Sequence, residues 1–210
     1  RKIIKICYTR LMDKRIQYQF FHWGPFLYKT KLIPEEIKKI KAFCKKDKKK
    51  DYRPRLAGLI KHEHQIDCKK LFPIIFPYLD SYSQAYINYA AKAMGTKIEL
   101  VSSWVNYMTK FESNPLHTHD DDLSFVIYTG VPKNLKKEVE NTKSNTQPGA
   151  INFIHSLESN KYVINQHTFV PEVGDFFIFP ATMNHCVNHF QSEGERVSVS
   201  GNIKVNYEDK

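Results

Sequence analysis

The sequence predicts an α+β fold, with helices in its first half and a double-sheet β jelly roll in its second. Two observations carry this. Apolar residues recur at helical spacing as far as Met94, and from Lys97 onward the period drops to two. The second half also divides into short aromatic and β-branched segments separated by turn residues. At 210 residues, with hydrophobics at 41% and aromatics at 13%, the chain can bury one real core and is short for two. It reads as a single domain over 1–210. Residues 1–96 supply mainly helical support and an entry strand, and 97–210 supply the β core.

Ile16 to Leu27 (IQYQFFHWGPFL) mixes aromatic and β-branched residues and closes on Gly24-Pro25, which predicts an entry strand and a turn. Ile33 to Cys44 predicts a helix. Pro34 opens it, Glu35 and Glu36 occupy the first turn, and Ile37, Ile40 and Phe43 share one face. The basic run Lys38 to Arg55 is read as a solvated helix end and loop. Pro54 to Asp67 contains His62-x-His64, but no apolar residues frame that pair, and a surface segment without a metal role is expected. Leu71 to Met94 predicts a second helix, with Pro73 and Pro77 early and a stripe of Tyr82, Ala85, Tyr86, Tyr89 and Ala93 packed on a sheet.

Strands are expected at Ile98 to Phe111, Leu123 to Val131, Gly149 to Ile154, Tyr162 to Thr168, Asp175 to Phe179 and Arg196 to Val205. Lys133 to Pro148 is polar, lysine-rich and unpatterned, and is expected to be a mobile loop over the barrel mouth.

The chemistry concentrates in Asn114 to Asp122, NPLHTHDDD, which packs two histidines and three carboxylates into His117 to Asp122. A run this polar is ordinarily a solvated turn, yet it lies between two segments that read as buried strands. Imidazole and carboxylate are the ligands of Fe(II), Mn(II) and Zn(II), and Fe(II) oxygenases typically use two histidines and one carboxylate. Side chains at i and i+2 of an extended chain point the same way, so His117 with His119, or His119 with Asp121, can grip one ion. Farther on come GDFFIFPATMNHCVNHF and GERVSVSGNIKVN. In these a Gly174-Asp175 turn opens an apolar strand, Pro180 ends it, His185 follows, and Arg196 and Ser198 lie on a closing strand.

This order of HxH or HxD, a distal histidine and then RxS resembles the 2-oxoglutarate- and Fe(II)-dependent dioxygenases. More narrowly it resembles the small prolyl-hydroxylase-like oxygenases of marine phages and bacteria. The resemblance spans roughly Ser102 to Val205. It implies a cupin-like double-stranded β-helix and a cytoplasmic enzyme of a bacterium or phage-infected host. It also implies Fe(II) as metal, 2-oxoglutarate as cosubstrate and O2 as oxidant, with hydroxylation of a prolyl or other peptidyl side chain. His185 falls where the family places its distal ligand, with His189 as competitor. For the first pair, His117, His119 and Asp121 compete for two positions. Asp121 matches the usual HxD, while the narrower family has HxH; His117 and His119, next to Pro115 at the strand end, are slightly preferred.

Arg196 offers the planar fork that matches the cosubstrate's far carboxylate, and Ser198, two residues on, faces the same way. Tyr128 falls where prolyl-hydroxylase relatives have a tyrosine that donates to the same carboxylate. Asn106, inward by alternation with Trp104 and Met108, is a further contact to cosubstrate or substrate, and Asn202 serves packing.

Two other classes fit the sequence less well. A cupin-like zinc or manganese protein without oxygenase activity has no use for Arg-x-Ser after the distal histidine. A nucleic-acid module would exploit the net charge of +10, but Lys38 to Lys50 interleaves only Phe43 among its lysines. The substrate, protein or small molecule, is not named by the sequence. Four scattered cysteines without CxxC spacing predict free thiols. No apolar run approaches the roughly 18 residues that span a bilayer, and no signal-peptide pattern opens the chain, so a cytosolic site is expected.

Overall fold

The computed structural model of the protein describes residues 24–91, 97–156 and 164–206. In chain order the strands are β1 (Tyr28–Lys31), β2 (Glu63–Gln65), β3 (Lys97–Met108), β4 (Asn114–His117), β5 (Leu123–Gly130), β6 (Ile151–Ile154), β7 (Gln166–Phe169), β8 (Asp175–Pro180), β9 (Asn184–Val187) and β10 (Arg196–Asn206). Helices α1 (Pro34–Phe43) and α2 (Cys68–Ala90) precede the main run of strands, and α3 (Leu135–Asn141) follows β5. The strands form two antiparallel sheets, a major one in the order β1-β8-β5-β10-β3-β2 and a minor one in the order β4-β9-β6-β7.

The central strands of the major sheet are apolar at almost every position because both of their faces are covered. On β5 and β8, Phe125, Ile127, Phe176 and Ile178 point outward and pack with Ile40 of α1 and Leu71, Ile75 and Leu79 of α2. Their alternating neighbours Val126, Tyr128, Phe177 and Phe179 point inward, to Ile151, Phe153 and Val187 of the minor sheet. The first cluster fastens the helices to the outside of the sheet. The second holds the two sheets face to face and leaves a cavity between them.

Helix α1 has Pro34 at its start and Glu35 and Glu36 in its first turn, as the sequence pattern requires. Helix α2 is N-capped by Asp67, whose carboxylate accepts from the Lys69 N–H at 2.9 Å, and it runs through Pro73 and Pro77. Gly174, at φ +94°, makes the turn into β8 that the Gly-Asp pair predicted. Its N–H donates to the Tyr128 carbonyl at 2.8 Å. Cys44, Cys68 and Cys186 are free thiols, as expected, and burial pushes the Cys44 thiol up to about 12. Among the described residues, no helix is long and apolar enough to cross a membrane.

The expected entry strand lies largely outside the described residues, within which the first strand begins at Tyr28. Three other expectations need correction. The segment around His62 and His64 is not simply surface. It contributes edge strand β2, which buries Glu63 and His64 at 1% and 5% exposure, because residues 63–65 pair with β3. Residues 133–148 are not an unpatterned loop. They contain α3, whose Leu135 is fully buried in the inter-sheet core. The Glu138 carboxylate of α3 accepts the backbone N–H groups of Gln191 and Ser192 at 2.8 Å each. Finally, β4 and β9 were not foreseen as strands, although each carries a candidate ligand.

Candidate metal and cosubstrate site

Strands β4 and β9 pair so that His117 and His185 stand directly opposite each other. His119 lies just past β4, in a segment held against the β8–β9 turn. Its N–H donates to the Ala181 carbonyl at 2.9 Å, and the Ala181 N–H returns to the Asp122 carbonyl at 3.1 Å. This pinning is why so polar a run is not a free loop. The three rings converge, with one ligand nitrogen from each lying within 4.8 Å of the others. Asp121 does not join them; it sits in the bend before β5, where Asp122 accepts the Val205 N–H at 2.7 Å.

The surroundings prepare the imidazoles as ligands. His117 Nδ1 lies 2.7 Å from the Pro115 carbonyl and His185 Nδ1 2.9 Å from the Met183 carbonyl. A carbonyl only accepts, so each Nδ1 carries the proton and each Nε2 is left with a lone pair. Burial, followed by the neighbouring His117, holds His185 down to about 3 and His119 down to about 4, and burial also lowers His117. All three are therefore neutral at neutral pH, the form a metal requires. Trp104 flanks His119, and Phe153 and Phe179 flank His185. Of the other histidines considered, His189 is exposed, and His62 and His64 stand apart from the cluster on β2, where His64 Nδ1 contacts the Asp47 carbonyl at 2.8 Å.

The predicted anchor residues line the same cavity as the triad. Strand register puts Asn106, Ser198 and Tyr128 in one row across β3, β10 and β5, since Ser198 is the direct partner of both others. Arg196, two residues before Ser198, shares its face. The guanidinium is 2% exposed. It donates from Nη2 to Tyr128 Oη at 2.8 Å and from Nε to the Gly149 carbonyl at 3.0 Å. Among the described residues no carboxylate lies within ion-pair distance of it. Burial lowers its pKa and raises that of Tyr128. Asn106 donates to Ser198 Oγ at 3.4 Å and, among the described residues, leaves its own Oδ1 buried without a partner. Asn202 instead accepts from Ser124 Oγ at 2.9 Å, a packing role.

A buried cation without an anion and a buried amide oxygen without a donor are costly unless a ligand completes them. Facing three imidazoles in one cavity, they fit a divalent metal joined by a small dicarboxylate. Sequence reasoning missed Asn114, whose Oδ1 is also buried and unpartnered in this cavity, although the NP opening of the motif placed it two residues from Leu116 and three from His117.

Comparisons with known proteins agree with this geometry. Residues 102–202 match the family described as "Putative 2OG-Fe(II) oxygenase". No curated protein matches the sequence. The viral collagen prolyl hydroxylase of Paramecium Bursaria Chlorella virus-1, solved with 2-oxoglutarate, is similar in fold. Its TM-score is 0.55 over 84% of this chain and 94% of that one, at 12% identity. A 2OG-Fe(II) oxygenase family oxidoreductase from Burkholderia pseudomallei gives 0.54 over 86% and 84%, at 13% identity. A Pseudomonas putida prolyl-4-hydroxylase gives 0.50 over 87% and 93%, at 12% identity. At such identities the likeness is one of fold, here the double-stranded β-helix. Through residues 102–202, a little under half of its length, the chain matches the 2-oxoglutarate- and Fe(II)-dependent oxygenase family.

Proposed function

We propose that the chain hydroxylates a peptidyl side chain, prolyl or other, with His117, His119 and His185 holding Fe(II) and Arg196, Tyr128 and Ser198 holding the far carboxylate of 2-oxoglutarate. Bound there, the metal and cosubstrate supply O2-driven hydroxylation with release of succinate and CO2. The residues of the chain do the rest. The Pro115 and Met183 carbonyls fix the tautomer and aim of two ligands. Tyr128 and the Gly149 carbonyl hold the Arg196 fork in place before any anion arrives. Phe153 and Phe179 keep water from the His185 side.

The observation that carries this reading is Arg196, a buried cation with no counter-ion among the described residues, in the cavity that the triad also lines. A metal-binding barrel without an oxygenase role has no need of it. The prolyl target takes its support from the fold likeness to two prolyl hydroxylases, and the expected cytoplasmic site from the free thiols. The test is succinate release from 2-oxoglutarate with Fe(II) and O2 in the absence of substrate. The wild-type protein should exceed a His185→Ala control, and equal release from both would defeat the oxygenase assignment.

A further inference from the structure

We propose that Glu63 on β2 is a recognition group for a protonated nitrogen on the substrate, such as an ammonium or guanidinium. Glu63 is the direct cross-strand partner of Asn106 on β3, so it extends the Tyr128–Ser198–Asn106 row by one strand on the same face of the sheet. It also lines a second pocket that shares Trp104, Asn114, His117 and His119 with the cosubstrate cavity. The row thus runs from the cosubstrate anchor to the Glu63 carboxylate, and the two pockets along it share His117 and His119.

Among the described residues that carboxylate has no partner. Glu63 is 1% exposed, and both of its carboxylate oxygens are buried without a hydrogen bond. The neighbouring groups are already engaged. Glu112 accepts the backbone N–H groups of Lys61 at 3.0 Å and Thr109 at 2.7 Å. Arg53 is paired with Asp51 at 2.6 Å. Arg55, the cation in the lining of this pocket, is exposed with its guanidinium over the Tyr52 ring. The backbone has made room for the carboxylate, since a Cβ at Gly58 would stand 2.6 Å from Glu63 Oε1.

A lone buried carboxylate is a poor structural element, because a glutamine or an apolar residue fills the same space without the cost of desolvating a charge. A neutral N–H would satisfy one oxygen and leave the charge unmet. A cation satisfies both, and an ammonium has a third donor free for the unpartnered Oδ1 of Asn114 in the same pocket. The proposal rests on the oxygenase reading only in calling the bound molecule a substrate.

The test uses two probes that differ in one group, Nα-acetyl-lysine N-methylamide and Nα-acetyl-norleucine N-methylamide. Each is titrated calorimetrically into the full chain, with and without Mn(II) and 2-oxoglutarate under argon. The wild-type protein should prefer the lysine probe by about tenfold or more, the size of one charge-assisted contact. Glu63→Gln, nearly isosteric, should bring the two probes within about threefold while Glu63→Asp keeps part of the preference. n-Butylammonium separates the sources. Binding equal to the lysine probe points to a small amine, and weaker binding to a basic residue in a peptide; both fit the proposal. Equal binding of the lysine and norleucine probes to the wild-type protein overturns it, even if no variant folds. So does a preference that survives in Glu63→Gln. Because binding is read without turnover, these results are independent of the His185→Ala activity control.

Discussion

Replacing Arg196 with methionine separates a ligand anchor from a structural residue, because the two roles predict opposite balances. In the protein without cosubstrate, the variant loses the two hydrogen bonds to oxygen, leaving Tyr128 Oη and the Gly149 carbonyl unmatched. Each costs about 1–3 kcal/mol. The variant also removes a buried charge that lacks a counter-ion, which relieves a penalty of several kcal/mol. The two effects oppose each other, so folding stability should change by less than about 2 kcal/mol. In the complex there is no such compensation. Losing one member of a buried charge pair costs about 2–5 kcal/mol, or roughly thirtyfold to several-thousandfold in affinity. Urea denaturation gives the first quantity. Anaerobic titration of the Fe(II) protein with 2-oxoglutarate, followed by its metal-to-ligand charge-transfer band, gives the second. A variant that loses several kcal/mol of stability but keeps its affinity for 2-oxoglutarate would refute the argument, and Arg196 would then be a packing residue.

Other perturbations probe the remaining parts of the structure. His117→Ala, His119→Ala and His185→Ala should each abolish Mn(II) binding read by electron paramagnetic resonance, while Asp121→Ala leaves it within a few fold; sharp loss in Asp121→Ala would restore the two-His-one-Asp alternative. Burial raises Glu63 from 4.5 to about 7, so its penalty is full above about pH 7 and is relieved as pH falls toward 4.5. Glu63→Gln should therefore gain roughly 3 kcal/mol over the wild-type protein at pH 8 and little at pH 4.5, and parallel stability profiles would contradict this. Phe177→Ala empties a fully buried position between the sheets and should cost about 3–5 kcal/mol in denaturant unfolding, against almost nothing for Lys48→Ala. His119→Asp should tighten Mn(II) binding without 2-oxoglutarate and weaken the mutual enhancement of the two by about tenfold; unchanged enhancement would show that ligand charge does not control it.

Much of this arrangement was legible because period two and period 3.6 are local signals. The strands from Leu123, Asp175 and Arg196 were plain, and alternation within them put Tyr128, Arg196 and Ser198 on inward faces. What was not legible depends on pairing across the chain. Strands β4 and β9 are four residues each, and their backbone partners are each other and β6, so no local period marks them. The choice between Asp121 and His117 was open for the same reason. Only the β4–β9 register, which sets His117 opposite His185, decides which neighbours of His119 share its cavity. Helix α3 was hidden by its lysines, because only Leu135 of its seven residues is buried and its hold on the barrel is the polar contact of Glu138. Glu63 lies in a charged segment that reads as surface, since nothing in the sequence distinguishes an edge strand that buries its carboxylate from one that exposes it.

The charge of the site joins these observations. Three neutral imidazoles leave a divalent ion with its full charge, where a carboxylate ligand would have reduced it, and Arg196 adds another positive charge to the same buried cavity. Such a site binds metal reluctantly on its own and well in the presence of a dianion, because each relieves the burial cost of the other. In the proposed complex 2-oxoglutarate would offer one carboxylate to the metal and the other to the Arg196 fork. The carboxylate of Glu63 lies beyond this compensated centre, one strand from Asn106, and the cosubstrate leaves it unmet. Two pockets that share His117 and His119 therefore hold one group that calls for an anion and another that calls for a cation. A substrate whose positive group is held at Glu63 would have its neighbouring carbons carried toward the three histidines, which is the placement that oxidation at a C–H bond requires.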